Sequence, residues 1–422
     1  MLVGVSQSHV TPWETDDTLD ELALLADTAG AEIVERVVQH RHAINPTYFI
    51  GEGKARDLAA LCADQGVDLV IFDDDLSPAQ VRNLERVIGT RVLDRSGLIL
   101  DIFARRAKSR QAKIQVELAQ LKYMLPRLTR QWQHLSRQEG GVGAFGAIGV
   151  RGPGETQLEL DRRRLRERID HLAQQLEHVE QAYKTQRKQR NRMFCIALVG
   201  YTNAGKSTLF NAFTHAGTLV EDRLFATLDS TTRLIAVSDS QKALLSDTVG
   251  FIRKLPHHLV ASFRSTLTEV FSADLLLHVV DVSHPRFEEQ LSTVNTVLEE
   301  LGVIETPVML VFNKIDRLSE AGLLKRLQQE HPDSIALSAL SAADIERVRR
   351  TVAAVIDRTR TEMELYIPHQ DARVLWEVYK AGEVLARQDE PDGVRVTVRL
   401  EGPAAGRLQK RLAGYFSQGS LD

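Results

Sequence analysis

Two cysteines, Cys62 and Cys195, are the only thiols in 422 residues. They are too few for a disulfide framework, and no Cys/His cluster has metal-ligand spacing, which excludes a disulfide-stapled or zinc-held fold. No apolar run approaches the roughly 18 residues that cross a bilayer. The opening Met1-Leu2-Val3-Gly4-Val5 lacks the basic region and longer apolar core of a secretory signal, and no lipidation motif is present. A cytoplasmic protein is expected, a monomer with no integral membrane segment and room only for weak membrane association.

What is present is ordinary globular chemistry, 43% apolar and 26% charged, at a length that suggests about three domains. The net charge of −4 hides an asymmetry. Residues 102–193 carry 20 Lys and Arg against 9 Asp and Glu, which leaves the remainder of the chain at −15. Such segregation points to a polyanionic partner for that segment, with nucleic acid first in line.

The expected fold class is α/β in four parts. Residues 1–101 read as an N-terminal α/β domain. Apolar runs at 31–38, 67–72 and 91–93 alternate with helical stretches at 55–65 and 78–88, the pattern of a parallel sheet. Residues 102–193 then change period. Ile114, Leu118, Leu121, Leu125, Leu128, Trp132 and Leu135 form one 4-3 seam, with Pro126 expected to kink it, and Leu165, Ile169, Leu172, Leu176, Val179 and Tyr183 form a second. Between the seams, residues 140–154 hold seven glycines in fifteen, so a long antiparallel helical hairpin with a glycine-rich tip is expected. Residues 194–360 follow as a doubly wound domain, with strands at 194–199, 243–247, 275–280, 308–312 and 334–337. Residues 361–422 close the chain as a small α+β module: strand 364–367, helix 371–381, strand 393–400 and helix 404–415.

The chemistry concentrates in the third part. Gly200-Tyr201-Thr202-Asn203-Ala204-Gly205-Lys206-Ser207, followed by Thr208, matches the phosphate loop G-x-x-x-x-G-K-[ST] between an apolar strand and a helix. Backbone amides there can wrap phosphates at a helix N-terminus. Lys206 can lie between the β- and γ-phosphates, and Ser207 can ligate Mg²⁺. Asp247-Thr248-Val249-Gly250 ends the next strand. Its aspartate can reach Mg²⁺ through water, and the Gly250 N–H can contact the γ-phosphate. In Asn313-Lys314-Ile315-Asp316, the Asp316 carboxylate can accept from guanine N1 and N2, where adenine offers no matching donors. Ser338-Ala339-Leu340 can present a backbone N–H to guanine O6. Four such motifs in order, each at the carboxyl end of a strand, specify a guanine nucleotide site. A switch threonine belongs in Phe225-Ala226-Thr227-Leu228-Asp229-Ser230-Thr231-Thr232, where Thr227, Thr231 and Thr232 are all candidate Mg²⁺ ligands. Phe251 stands where many signalling GTPases carry a water-orienting glutamine, so intrinsic turnover should be slow, about 10⁻⁴–10⁻² s⁻¹. Asn203 is either a monovalent-cation (K⁺) ligand that supplies the missing charge or a turn residue.

On these motifs, and on several runs outside them, the chain resembles the HflX GTPases, of the larger group that includes Era and MnmE. Those runs are Ile50-Gly51-Glu52-Gly53-Lys54, Val92-Leu93-Asp94-Arg95-Ser96-Gly97-Leu98-Ile99-Leu100-Asp101-Ile102-Phe103, residues 112–128, the glycine loop continuing into Glu155-Thr156-Gln157-Leu158-Glu159, and residues 247–255. The resemblance covers nearly the whole length. It implies binding to the large ribosomal subunit and GTP-dependent splitting of stalled or idle ribosomes under stress, and it selects Thr227 as the switch ligand. Lys206, Thr227, Gly250 and Asn203 would then serve hydrolysis. This sequence has Ser230 where relatives often have proline. A basic hairpin can follow rRNA phosphates, with Gly141, Gly143, Phe145, Gly146, Ile148, Gly149 and Arg151 as the tip's RNA contacts. Alternatives are a ribosome-assembly GTPase and an ATP-dependent RNA-remodelling activity of the first domain, for which Gly51-Glu52-Gly53-Lys54 is a motif fragment more easily read as a turn before a helix.

Overall fold

The computed structural model describes residues 1–7, 12–128, 153–190, 193–214, 224–225, 230–238, 241–254, 266–303, 305–318, 321–359 and 361–400. The chain divides into two compact units. One comprises Met1–Gln181, Val220–Ser230 and Val249–Thr268; the other comprises Ala182–Leu219, Thr231–Thr248 and Glu269–Asp422.

In the first unit, strands β1 (Leu2–Gln7), β2 (Arg36–Arg41), β3 (Leu69–Phe72) and β4 (Arg91–Asp94) form a wholly parallel sheet in the order β2-β1-β3-β4. Helices α2 (Glu52–Gln65) and α3 (Pro78–Ile88) bury Leu58, Cys62, Leu84 and Ile88 with Val3, Val70 and Phe72. Helices α1 (Pro12–Thr28) and α4 (Arg95–Arg106) pack with the sheet as well. At Gly4 a Cβ would meet Leu19 of α1 at 3.1 Å, so the missing side chain lets the helix close on β1. Helix α3 starts where Ser77 and Gln80 make a reciprocal capping box and Pro78 presets φ, and it stops at Gly89 at φ +76°.

The expected parallel sheet is thus present, with three departures. Strand β1 and helix α1 did not appear among the predicted elements, and β2 lies five residues beyond the start of the run at 31–38. In the hairpin, α5 (Arg110–Met124) is interrupted at Pro126, which has no N–H to extend the ladder, and the continuation expected beyond residue 128 lies outside the described residues. Its partner α6 (Pro153–Arg190) is one helix of 38 residues. The predicted seams meet: Ile114, Leu118 and Leu121 pack with Ile169, Leu172 and Leu176, and Arg168 pairs with Glu117 at 2.7 Å. Trp132 and Leu135 lie outside the described residues.

In the second unit, β5 (Phe194–Gly200), β6 (Thr231–Ala236), β7 (Lys242–Asp247), β8 (Leu275–Asp281), β9 (Val308–Asn313) and β10 (Ile335–Ala336) form a sheet in the order β10-β9-β8-β5-β7-β6. All pairings are parallel except β6–β7. Helices α7 (Lys206–Thr214) and α10 (Ala342–Thr359) bury Leu209, Phe210, Val348 and Val352 in one core. Helices α8 (Phe287–Glu300) and α9 (Ala321–Glu330) bury Phe287 and Leu327 in another. Helices on both faces make the sheet doubly wound. The tail adds an antiparallel sheet β11-β13-β12 from β11 (Thr361–Pro368), β12 (Glu383–Glu390) and β13 (Gly393–Leu400), with α11 (Ala372–Ala381) contributing Val378 to its core. Neither β6 nor β12 was among the predicted strands, and the predicted helix 404–415 lies outside the described residues.

Candidate nucleotide site

The central strand β5 delivers Gly200 beside β8. There φ is +148°, and a Cβ would lie 2.2 Å from the Val279 carbonyl oxygen, so only glycine fits. The chain turns through Asn203 at φ +61° and Gly205 at φ +94°, where a Cβ would fall 2.2 Å from Asn313 Nδ2. It then enters α7 at Lys206. The left-handed backbone of Asn203 and its exposed side chain are those of a turn residue. The first turn of α7 places the positive end of a helix at the loop.

Lys206 is 6% exposed, and its Nζ donates to the Tyr201 carbonyl at 2.6 Å, inside the loop. Burial holds its ammonium well below the usual lysine value, at about 8; Asp247 opposes that shift and Lys314 adds to it. Ser207 Oγ donates to Asp247 Oδ2 at 2.7 Å, so a hydroxyl and a carboxylate meet at the carboxyl ends of adjacent strands. Thr248 faces away from this pair, and its hydroxyl donates to the Leu198 carbonyl at 2.6 Å, tying β7 to β5.

Asn313 joins two loops. Its Nδ2 donates to the Ala204 carbonyl at 2.9 Å, and its Oδ1 accepts from the Ala339 N–H at 3.0 Å. Lys314, at φ +62°, donates to the Asn203 carbonyl at 2.8 Å and pairs with Asp281 at 2.6 Å. Asp316 is exposed on the short 3-10 turn Ile315–Arg317. The Ser338 N–H donates to Asp344, and the Leu340 N–H makes a 3.4 Å contact with Ser338 Oγ. Of the three amides there, Leu340's has the longest contact and is the most easily turned toward a base. Phosphate-loop, base-loop and Asp247 residues therefore converge on one end of one sheet.

Of the three candidate switch threonines, Thr231 and Thr232 lie in β6, and Thr232 Oγ1 shares a 2.8 Å hydrogen bond with Ser246 Oγ. Ala226, Thr227, Leu228 and Asp229 lie outside the described residues, as do Gly141, Gly143, Phe145, Gly146, Ile148, Gly149 and Arg151. Phe225 is buried; Val249, Gly250 and the buried Phe251 belong to the first unit.

Four family models match the chain in order: GTP-binding GTPase N-terminal over residues 16–104, GTP-binding GTPase Middle Region over 106–190, 50S ribosome-binding GTPase over 195–314 and HflX C-terminal domain over 323–420. GTPase HflX of Magnetococcus marinus is 46% identical over 412 residues, covering 97% of this chain and 94% of that one. The chain belongs to the HflX GTPase family. GTPase HflX of Escherichia coli is 45% identical over 388 residues, 91% of this chain and 90% of that one. A GTP-binding protein from Sulfolobus solfataricus, solved in complex with GDP, is 25% identical across 84% of this chain and 97% of that chain, with a TM-score of 0.44.

This HflX-family protein is a GTP hydrolase, in keeping with its phosphate loop and base loops. Three residues beside that site were not among those predicted. Asp281 ends β8, where the strand-end rule for open α/β sheets points. Asp344, in the first turn of α10, orients the Ser338 amide. His278 is the one basic residue in the apolar strand β8 and is 1% exposed. Burial, with Lys206 assisting and Asn295 opposing, pushes it down to about 4 and keeps it neutral. The fragment Gly51-Glu52-Gly53-Lys54 opens α2, with the Gly51 N–H given to Gln39 at 2.9 Å, as a turn before a helix would have it.

Proposed function

We propose that this HflX-family GTPase binds the large ribosomal subunit through its basic hairpin and splits stalled or idle ribosomes under stress, with GTP favouring the bound form and hydrolysis releasing it. One observation carries the reading: a long helix bearing exposed Arg163, Arg164, Arg166 and Arg168 is rooted by its apolar seam in the same chain as a GTPase site. Guanidinium groups on an exposed helix face suit RNA phosphates better than any neutral partner. The description of the matching family model, 50S ribosome-binding GTPase, supports the choice of subunit.

At the nucleotide site, Asp316 selects guanine and Lys206 meets the phosphates. The Ser207 hydroxyl and Asp247 carboxylate, 2.7 Å apart, are hard oxygen donors of the kind Mg²⁺ takes. They fit that ion, which Ser207 would ligate directly and Asp247 would reach through water, with Thr227 as the further ligand the resemblance implies. When bound, Mg²⁺ supplies positive charge toward the β- and γ-phosphate oxygens. Asn203 is a candidate K⁺ ligand, tested by comparing turnover in KCl with turnover in NaCl. The apolar Phe251 orients no water, so intrinsic hydrolysis is slow and the ribosome stimulates it.

Sedimentation of intact ribosomes with the protein tests the central reading. Dissociation with a non-hydrolysable GTP analogue and none with GDP is expected. An unchanged profile under both would reject splitting, and binding confined to immature large subunits would assign the protein to assembly.

A further inference from the structure

The run Asp94-Arg95-Ser96-Gly97 carries part of the family resemblance, yet the nucleotide site makes no use of it. Asp94 is fully buried. Its Oδ1 accepts from the Gly97 N–H at 2.9 Å and the Tyr123 hydroxyl at 2.6 Å. Its Oδ2 accepts from the Arg127 guanidinium at 2.7 Å and the Leu76 N–H at 3.2 Å. Capping α4 needs only the first of these. The guanidinium of Arg127 also lies over the Tyr123 ring, 3.5 Å from its centroid, and donates to the Tyr123 and Leu76 carbonyls at 3.0 Å. A Cβ at Gly97 would lie 2.8 Å from the Tyr123 oxygen, so glycine is what lets that hydroxyl approach. Tyr123, in the last turn of α5, and Arg127, three residues beyond its end, follow directly on the hairpin seam at Ile114, Leu118 and Leu121. Asp94 is therefore bolted to the hairpin root.

The next side chain reaches the other way. Arg95, 1% exposed, donates to Asp73 at 2.6 Å, to Glu21, and to the backbone carbonyl of Arg253 at 3.2 Å. The second oxygen of Asp73, and Asp74 beside it, each accept from the Lys254 ammonium at 2.6 Å. Arg253 pairs with Asp17 at 3.7 Å. Arg253 and Lys254 stand three and four residues after Gly250, in the segment that should answer to the γ-phosphate. Lys254 sits at φ +51°, which a lysine holds only when its surroundings impose it. Phe225, at φ +55° in the other switch stretch, packs edge-on against Phe103 of α4, with ring centroids 4.7 Å apart. Each stretch thus carries a non-glycine residue in the left-handed region, Phe225 packing on α4 itself and Lys254 on Asp73, which Arg95 also holds.

We infer that Asp94 and Arg95 are positioning residues for GTP hydrolysis, joining the hairpin root to the segment Phe251-Ile252-Arg253-Lys254. The inference rests on the proposed binding of the hairpin to the ribosome. A buried carboxylate held by four donors, as Asp94 is, has few alternative arrangements. A shift of Tyr123 and Arg127 removes two of the four partners of Asp94 and disturbs the first turn of α4, where the Arg95 side chain originates. The Arg253 carbonyl and, through Asp73, Lys254 then move with it. This joint gives a GTPase whose Phe251 orients no water a route by which an occupied hairpin can reset the residues after Gly250.

The test uses the full chain with intact ribosomes, measuring cosedimentation, KM and kcat for Tyr123→Phe, Lys254→Met, the double variant and Lys254→Arg. Ribosome binding and KM should stay within about twofold. Stimulated kcat should fall at least about tenfold in either single variant, which corresponds to about 1.4 kcal/mol. The double variant should be no worse than the weaker single, as members of one relay behave, whereas independent structural defects add. Lys254→Arg, which keeps the ion pairs, should restore stimulation. If wild type binds and is stimulated and both single variants are stimulated equally, the inference falls alone. If wild type fails to cosediment, the functional reading falls and the inference with it.

Discussion

The lowered ammonium of Lys206 makes guanine nucleotide affinity depend on pH in a calculable way. With a value of about 8 before nucleotide binds, roughly nine-tenths of the chains carry the charge at pH 7 and about one-tenth at pH 9. Phosphates beside the ammonium favour its protonated form and raise its value. Binding is therefore coupled to proton uptake, with affinity full below pH 8 and lost as pH rises through it. Between pH 7 and pH 9 the dissociation constant of GDP should rise about tenfold, or about 1.4 kcal/mol. Titration with a fluorescent GDP analogue measures this. Calorimetry at pH 8 in two buffers of different ionisation enthalpy should find about half a proton taken up per nucleotide. Lys206→Met should bind weakly at every pH and show neither effect. Affinity that stays flat from pH 7 to pH 9, with no proton uptake at pH 8, would refute the argument.

Further expectations concern base choice, the buried histidine and the hairpin. Asp316→Asn should move preference from guanosine toward xanthosine nucleotides, by up to about 10⁴-fold; competition binding that still favours GTP would reject the assignment. His278 is held at about 4 in the folded chain against about 6.5 unfolded, so folding excludes its proton. The stability this represents is complete above about pH 6.5 and is lost as pH falls toward 4. Relative to its own cost at pH 7.5, His278→Leu should gain about 2 kcal/mol on the wild type at pH 5 in denaturant melts, and parallel pH profiles would contradict this. Leu172→Ala, at the meeting of the two seams, should cost about 2–5 kcal/mol; hydrogen exchange should locate the loss in α5 and α6, and a change confined to the second unit would argue against the shared seam.

Much of the site was readable because four strands of the nucleotide domain, β5, β7, β9 and β10, are apolar runs that each lead into a motif. Glycines at 200 and 205, Asn313 and Asp247 stand where spacing put them. What escaped prediction lacks that signal. Strand β6 is an edge strand with exposed Arg233 and Leu234, and β12 is exposed from Leu385 to Asp389, so neither shows the alternation that a half-buried strand leaves in a sequence. Pro126 was legible as an interruption of α5, but nothing in the spacing foretold that the Arg127 side chain just past it reaches back to Asp94. Contacts such as Lys254 with Asp73, 181 residues apart, have no periodicity at all. The run around Asp94 could be recognised by family likeness well before its hydrogen bonds gave it a purpose.

Helix α6 gives the molecule a mechanical advantage. Its 38 residues, at about 1.5 Å each, make a rod about 57 Å long. The seam around Leu172 lies near its middle, so a tilt of about 10° there sweeps Pro153 through about 5 Å, the rise of a single helical turn. A displacement of Pro153 arrives at the seam as a small rotation. Such a lever needs a stiff fulcrum, and a seam of packed leucines braced by a buried aspartate is far stiffer than a solvated loop.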